Sequence, residues 1–156
     1  MILPKLQIGL DFHGVVDQRP QYFADFCSRA RRRGHRVYII SGGAKAQLTK
    51  QLAELHIEYD FIFSLTDYCL ACQAITQTAA GLMFSDYLWN SAKADFCRRA
   101  GVDIHIDDNP EYCDFFNTLC CCYDKKADKC IISGHMSLNM STSAESLVYQ
   151  IERLFF

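Results

Sequence analysis

Five polar positions at the ends of apolar runs carry the chemistry of this sequence. Asp11 closes the run "LQIGLDF" and is followed by His13 and Gly14. Ser41 closes "HRVYIIS" and is followed by Gly42 and Gly43, and Asp107 and Asp108 close "VDIHIDD". Lys93 stands in the helical pattern "NSAKADFCRRAG" that feeds the last of these runs. Carboxylates, a lysine, a hydroxyl and paired glycines make a set suited to an anionic phosphoryl group. A carboxylate can attack phosphorus, hard oxygens can hold Mg²⁺, an ammonium can neutralise charge, and backbone amides can bind phosphoryl oxygens at a helix start. Adjacent carboxylates after an apolar run repel each other unless a cation or lysine stands close, so Asp107 and Asp108 are the hardest pair to read as ordinary surface. Asp11 has the alternative of capping a turn, Ser41 of capping a helix, and Lys93 of being a solvated helix lysine.

The elements that must position these residues alternate. Apolar or β-branched runs at 6–12, 35–41, 59–65 and 102–107 read as strands. The stretches 21–34, 44–56, 90–101, 109–119 and 143–156 have apolar residues at helical spacing, with Pro110 in a first turn, Gly34 and Gly101 as stops, and Asn90 or Ser91 as the cap of the third. "CCCYD" or "CIIS" supplies a fifth strand, and 66–88 reads as a helix followed by a link or hairpin. Strand–helix alternation predicts an α/β, three-layer, Rossmann-like fold. It has a central parallel sheet of about five strands with helices on both faces, and ligands at the carboxyl ends of the strands.

The 156 residues are half hydrophobic, with a formal net charge of −2, which fits a single domain over 1–156 with a sizeable core. There is no nucleic-acid-binding charge signature, no apolar run near the roughly 20 residues of a membrane span, and no secretory pattern at the start, so the expected setting is cytoplasmic. The arginines between Arg29 and Arg36 read as a solvated helix end. Nine cysteines, several inside apolar runs, read as free, mostly packing thiols of a reducing compartment. A zinc or redox role for "CLAC" and "CCC" is the lesser alternative. His105 reads as a packed histidine and Lys45 as a solvated lysine.

"LDFHGVV", "VYIISGG", "NSAKADFCRRAGV" and "IHIDDNPEYCD" resemble, in order, the four motifs of the haloacid dehalogenase-like (HAD) superfamily of phosphohydrolases. The resemblance covers Ile8 to Asp114. It implies a Mg²⁺-dependent phosphomonoester phosphatase in which Asp11 is the nucleophile and forms an aspartyl-phosphate. By the same resemblance Asp11, the His13 carbonyl and Asp108 would hold Mg²⁺, with Asp107 beside them. Lys93, Ser41, Gly42 and Gly43 would bind phosphate. The implied partner is a small phosphorylated substrate or a phosphorylated macromolecule, with a weak hint of a nucleotide in "IDDNP".

Two features depart from the family pattern. His13 stands where the family has the second aspartate, the general acid and base. Metal binding by its backbone does not depend on the side chain, but acid catalysis does. With Mg²⁺ and Lys93 near, a neutral imidazole is favoured, which suits water activation better than protonation of a leaving group. Asp17 is the nearby substitute. The alternative reading is a catalytically impaired phosphate-binding or regulatory relative. The second departure is size. The 28 residues between Ser64 and Lys93 leave room for a small flap and no large cap domain. A phosphoacceptor signalling domain fits less well, because its acidic pair follows the first strand.

Overall fold

The computed structural model describes residues 4–73, 75–133 and 136–156. Among them, five strands run parallel: β1 (Gln7–Leu10), β2 (Arg36–Ser41), β3 (Phe61–Ser64), β6 (Ile104–Asp107) and β7 (Leu119–Asp124). β8 (Lys129–Ser133) and β9 (Met136–Asn139) continue the same sheet antiparallel to β7 and to each other. The result is one seven-stranded mixed sheet in the order β3-β2-β1-β6-β7-β8-β9. The expected parallel sheet of about five strands is therefore corrected. "CCCYD" and "CIIS" are both strands, joined by the tight turn at 125–128, and a turn that short can only return the chain antiparallel.

Six helices among the described residues cover the sheet: α1 (Pro20–Arg32), α2 (Lys45–Glu54), α3 (Leu65–Ala71), α4 (Asp86–Ala100), α5 (Pro110–Cys113) and α6 (Ala144–Phe155). Side-chain alternation along β2 sorts the core. Val37 and Ile39 join one apolar cluster with Phe23, Phe26 and Cys27 of α1, Leu48 and Leu52 of α2, and Leu147 and Ile151 of α6. Tyr38 and Ile40 join the other with Leu65 of α3 and Ala92 and Cys97 of α4. Successive strand residues face opposite sides, so these clusters lie on opposite faces of the sheet.

Between Ser64 and Lys93 the chain forms α3 and a two-stranded antiparallel hairpin, β4 (Ile75–Thr78) and β5 (Gly81–Phe84), before entering α4. α4 starts earlier than its sequence pattern suggested. Ser85, not Asn90 or Ser91, is its cap, with the Ser85 hydroxyl accepting from the Leu88 amide at 3.5 Å. Lys93 thus sits in mid-helix. Gly101 ends α4 in the left-handed conformation, at φ 70°. No helix of the described residues is long and apolar enough to cross a membrane.

One buried ion cluster ties the two ends of the chain together. Glu152 of α6 accepts two hydrogen bonds from the Arg33 guanidinium, at 2.7 and 2.8 Å, and a third from His35 Nε2 at 2.8 Å. His35 Nδ1 already accepts from the Leu6 amide, which leaves Nε2 as the donor. Hydrogen bonds from Arg33 lead the effects that hold the Glu152 carboxyl below its usual range, against burial. A depressed folded-state value contributes stability above the unfolded carboxylate range, and the contribution fades as pH falls through the folded value. Glu152→Gln is expected to cost about 2–3 kcal/mol at pH 7. That is less than the roughly 3–5 kcal/mol of a fully buried pair, because Arg33 stays partly exposed. Thermal melts from pH 7 to 3 would show the gap between wild type and variant closing in acid; a pH-independent gap would refute the linkage.

Candidate active site

The strand order reverses between β1 and β6: β2 and β3 build outward on one side of β1, and β6 and β7 on the other. In open α/β sheets a crevice forms at the carboxyl edge of such a switch point. Asp11 follows β1 there, and its amide donates to the Ile106 carbonyl at 2.9 Å, which locks the end of β1 to β6. Asp107 ends β6, and Asp108 follows it.

Lys93 reaches both strand ends from α4. Its Nζ is 3.2 Å from Asp11 Oδ2 and 2.7 Å from Asp107 Oδ2, and the side chain is 1% exposed. That burial rules out the solvated-lysine alternative. Asp107 is held mainly by the protein: besides Lys93, Oδ2 meets His105 Nε2 at 2.9 Å, and Oδ1 accepts from the Asn109 amide at 3.1 Å. Burial alone would raise the Asp107 pKa, but the hydrogen bonds and charges of His105 and Lys93 hold it well below the ordinary carboxylate range. Lys93 is likewise held charged: burial opposes the ammonium, and Asp11 and Asp107 outweigh it. Asp11 goes the other way. Burial is the largest influence and raises its pKa, with Lys93 opposing and Asp107 reinforcing.

His105 is fully buried, stacked on Phe116 with ring centroids 5.3 Å apart, in keeping with a packed histidine. Its Nδ1 lies where a side chain on Gly9 would collide, 2.8 Å from the ideal Cβ position.

Oxygens of Asp11, Asp107 and Asp108 lie within 4.8 Å of one another. Asp108 packs against Gly14, where a φ of 85° favours glycine and any Cβ would push the Asp108 carboxylate aside. Ser41 is buried beside the Asp11 carboxylate, whose ionisation its hydroxyl eases, yet that hydroxyl makes no well-formed hydrogen bond. Ser41 is not a helix cap: α2 begins at Lys45, preceded by Ala44, and Asp67 accepts from the Lys45 amide at 3.3 Å. The Lys45 side chain is exposed, as expected. Hydroxyls of Ser64 and Thr66 bind the carbonyls of Gly43 and Gly42, at 2.7 and 2.6 Å, and so fix the loop after β2.

These groups open onto a cleft of about 630 Å³ whose wall includes Asp11, His13, Ser41, Gly42, Lys93 and Asp108. Gly43 is not part of that wall. It faces the His13 ring instead, with Nε2 3.2 Å from its ideal Cβ position. Asp107 lies beneath the wall, fully buried. His13 is about half exposed (49%), and its Nδ1 stands 3.6 Å from Asp17 Oδ2, too long for a hydrogen bond but close enough to orient the ring. Asp17 also accepts from the Gly14 amide at 2.7 Å, which directs it to His13 and the turn.

Three site residues escaped the sequence reading. Lys125, at the rim, pairs with Asp108 Oδ2 at 3.0 Å. The Tyr112 ring lies 4.4 Å from Lys93 Nζ, and its hydroxyl accepts from Trp89 Nε1 at 2.9 Å. The signal for Lys125 was the "YDKKADK" turn: reading strands on both sides of it would have placed that turn at the strand ends that carry Asp11 and Asp107. A second hollow, about 590 Å³, lies between β3, α3 and α4 and is walled largely by rings such as Phe61, Phe63 and Phe96. It contains none of the carboxylate–lysine set.

No protein-family model and no curated protein matches this chain.

Proposed function

We propose that this chain is a Mg²⁺-dependent phosphomonoester phosphatase that works through an aspartyl-phosphate on Asp11. The observation that carries this reading is the buried Asp11–Lys93–Asp107 array, with Asp108 beside it, at the switch point of the sheet. The donor set fits a hard dication. Three carboxylates crowd together, the Asp11 pKa is raised by its burial, and only oxygen ligands are offered. Asp11, Asp108 and the His13 carbonyl would hold the ion, while Asp107 holds Lys93. When bound, Mg²⁺ would supply the positive charge that lets an anionic ester approach a carboxylate.

The chain's own residues do the rest. The Asp11 carboxylate attacks phosphorus and displaces the alkoxide or phenoxide of the ester. Lys93, held charged against Asp107, stabilises the equatorial oxygens, with Ser41 and the loop at Gly42 alongside. Water then cleaves the acyl-phosphate, giving inorganic phosphate and regenerating Asp11. His13, on the cleft wall, would carry the proton in either half. Lys125 at the rim adds a second cation for the substrate's phosphate. The cleft is open, which suits small phosphomonoesters as well as phosphate groups on a macromolecule.

The test is hydrolysis of an aryl phosphate such as p-nitrophenyl phosphate with and without Mg²⁺. Turnover is expected to require the metal and to vanish with a chelator. Hydrolysis indifferent to both, or absent at millimolar Mg²⁺, would reject the reading.

A further inference from the structure

Beside the carboxylate cleft, α5 and β7 bring together a group of thiols. Cys113 ends α5, and Cys120 and Cys122 lie two apart on β7, so both project to the same face of the sheet. The Cys120 thiol donates to Cys113 Sγ at 2.8 Å, inside van der Waals contact but well beyond the roughly 2.05 Å of an S–S bond. Cys122 also lies close enough to Cys113 to influence its ionisation. A pocket of about 430 Å³ is lined by all three residues, and Cys113 and Cys122 are partly exposed while Cys120 is buried. Cys121 and Cys130 are a separate, buried disulfide pair across β7 and β8, which corrects the expectation of free thiols throughout.

A metal is not the favoured occupant. Among the described residues, the group whose ligand atoms converge within 4.8 Å is the three aspartates, not the three thiols. Exchange chemistry asks less: one accepting sulfur, one partner at contact distance and an entry path. We propose that Cys113 and Cys120 form a thiol–disulfide exchange site, in which Cys113 attacks a small-molecule disulfide and Cys120 resolves the adduct.

The step balances. The Cys113 thiolate forms a bond to one sulfur of the disulfide and releases the other as a thiolate, which takes up the Cys113 proton. Cys120 then attacks the Cys113 sulfur, forms the intramolecular disulfide and releases the second small thiol with its own proton. Two protein thiols are oxidised and one external disulfide is reduced. The donated Cys120 S–H, the largest influence, lowers the Cys113 pKa and fits Cys113 as the attacking group. Burial raises the Cys122 thiol, and the bond to Cys113 together with burial raises Cys120 as well, so contact at 2.8 Å rather than acidity singles out Cys120 as the resolving thiol. The role of α5 gives the reaction a reach. Pro110 lines both the thiol pocket and the carboxylate cleft, and Tyr112 covers Lys93. A Cys113–Cys120 bond would fasten that partition to β7. The proposal does not depend on the phosphatase reading.

The test uses the full chain and glutathione disulfide. Cleavage before Asp114 separates Cys113 from Cys120, so the disulfide keeps the two fragments joined until dithiothreitol is added. Joined fragments are expected in wild type and in Cys122→Ser. In Cys120→Ser, Cys113 should instead retain a glutathione adduct. Trp89, the single tryptophan, is bonded to Tyr112, and its emission should change on oxidation of wild type and not of Cys113→Ser. Separate fragments in wild type, loss of the disulfide in Cys122→Ser, or a co-purifying metal that shields all three thiols from alkylation would each overturn the proposal. If Cys113→Ser fails to fold, the wild-type and Cys120→Ser maps still decide.

Discussion

Asp11→Asn is expected to lower Mg²⁺-dependent hydrolysis of an aryl phosphate by about 10⁴–10⁶-fold, the scale on which removing a nucleophile acts when it works as a unit with its neighbours. The amide is nearly isosteric with the carboxylate, and its oxygen can still accept the Phe12 amide that Asp11 Oδ1 accepts at 2.8 Å. Lys93 keeps Asp107 at 2.7 Å, so the substitution leaves no unpaired ammonium in the interior. Stability should therefore hold or rise, since burial is the largest influence on Asp11 and works against its charge. Activity and stability should move in opposite directions, and phosphate release beside a thermal melt reads both. Loss of activity with a collapsed melt would mean that Asp11 is structural. Retention of activity within tenfold of wild type would remove it from the mechanism.

The contrast between Asp11 and Lys93 explains how much of this site a sequence can carry. Asp11, Ser41, Asp107 and Asp108 were legible because each follows an apolar run whose burial fixes where the strand ends, and strand ends in an α/β sheet share one edge. Lys93 was legible only through its resemblance to a motif. A lysine in a helical pattern looks solvated, and its burial follows from two carboxylates that are 82 and 14 residues away in the chain. The same limit hid Lys125 and Tyr112, whose places depend on how β7 and α5 pack.

In the fold, the strong periodicity of α1, α2 and α6 and the apolar runs of β1, β2, β3 and β6 were enough to place those elements. The start of α4 was missed because Ser85 and Asp86 precede its apolar pattern and act as cap and first-turn charge rather than as core. The antiparallel edge was missed because β8 and β9 lack the continuous apolar run of the central strands and leave residues such as Ile131 and Met136 exposed. Cysteine also behaves as a small hydrophobe, so "CCCYD" read as a core strand without revealing that alternate thiols leave the core for the pocket beneath α5.

His13 sets the second large effect, and it should depend on the leaving group. The imidazole lies on the cleft wall, with Asp17 near Nδ1 and Gly43 near Nε2, and is the proposed proton carrier for the ester oxygen. General acid–base help is worth roughly 10²–10⁴-fold; with His13 supplying about half of that on a logarithmic scale, His13→Ala should lose roughly 10–10²-fold on an alkyl phosphate, whose alkoxide needs a proton to depart. On an aryl phosphate the phenoxide leaves unaided, and the loss should shrink to whatever His13 contributes to water activation. Asp17→Asn should reproduce part of the alkyl-specific loss. The amide keeps an acceptor for the Gly14 N–H, bonded at 2.7 Å, but no longer offers a charge to the ring. His13→Asp installs the aspartate of the motif that this stretch resembles, and the shorter carboxyl gives up the approach to Gly43. If the natural enzyme is held back by its acid, this substitution should raise kcat/KM on the alkyl ester by roughly 10–10²-fold, about half of the acid–base range on a logarithmic scale, and leave the aryl ester nearly unchanged. Steady-state kinetics on the two ester classes separate the cases. An equal change on both would assign His13 to phosphate or metal positioning, and no change in any variant would leave Asp11 and Lys93 to act without a protein acid.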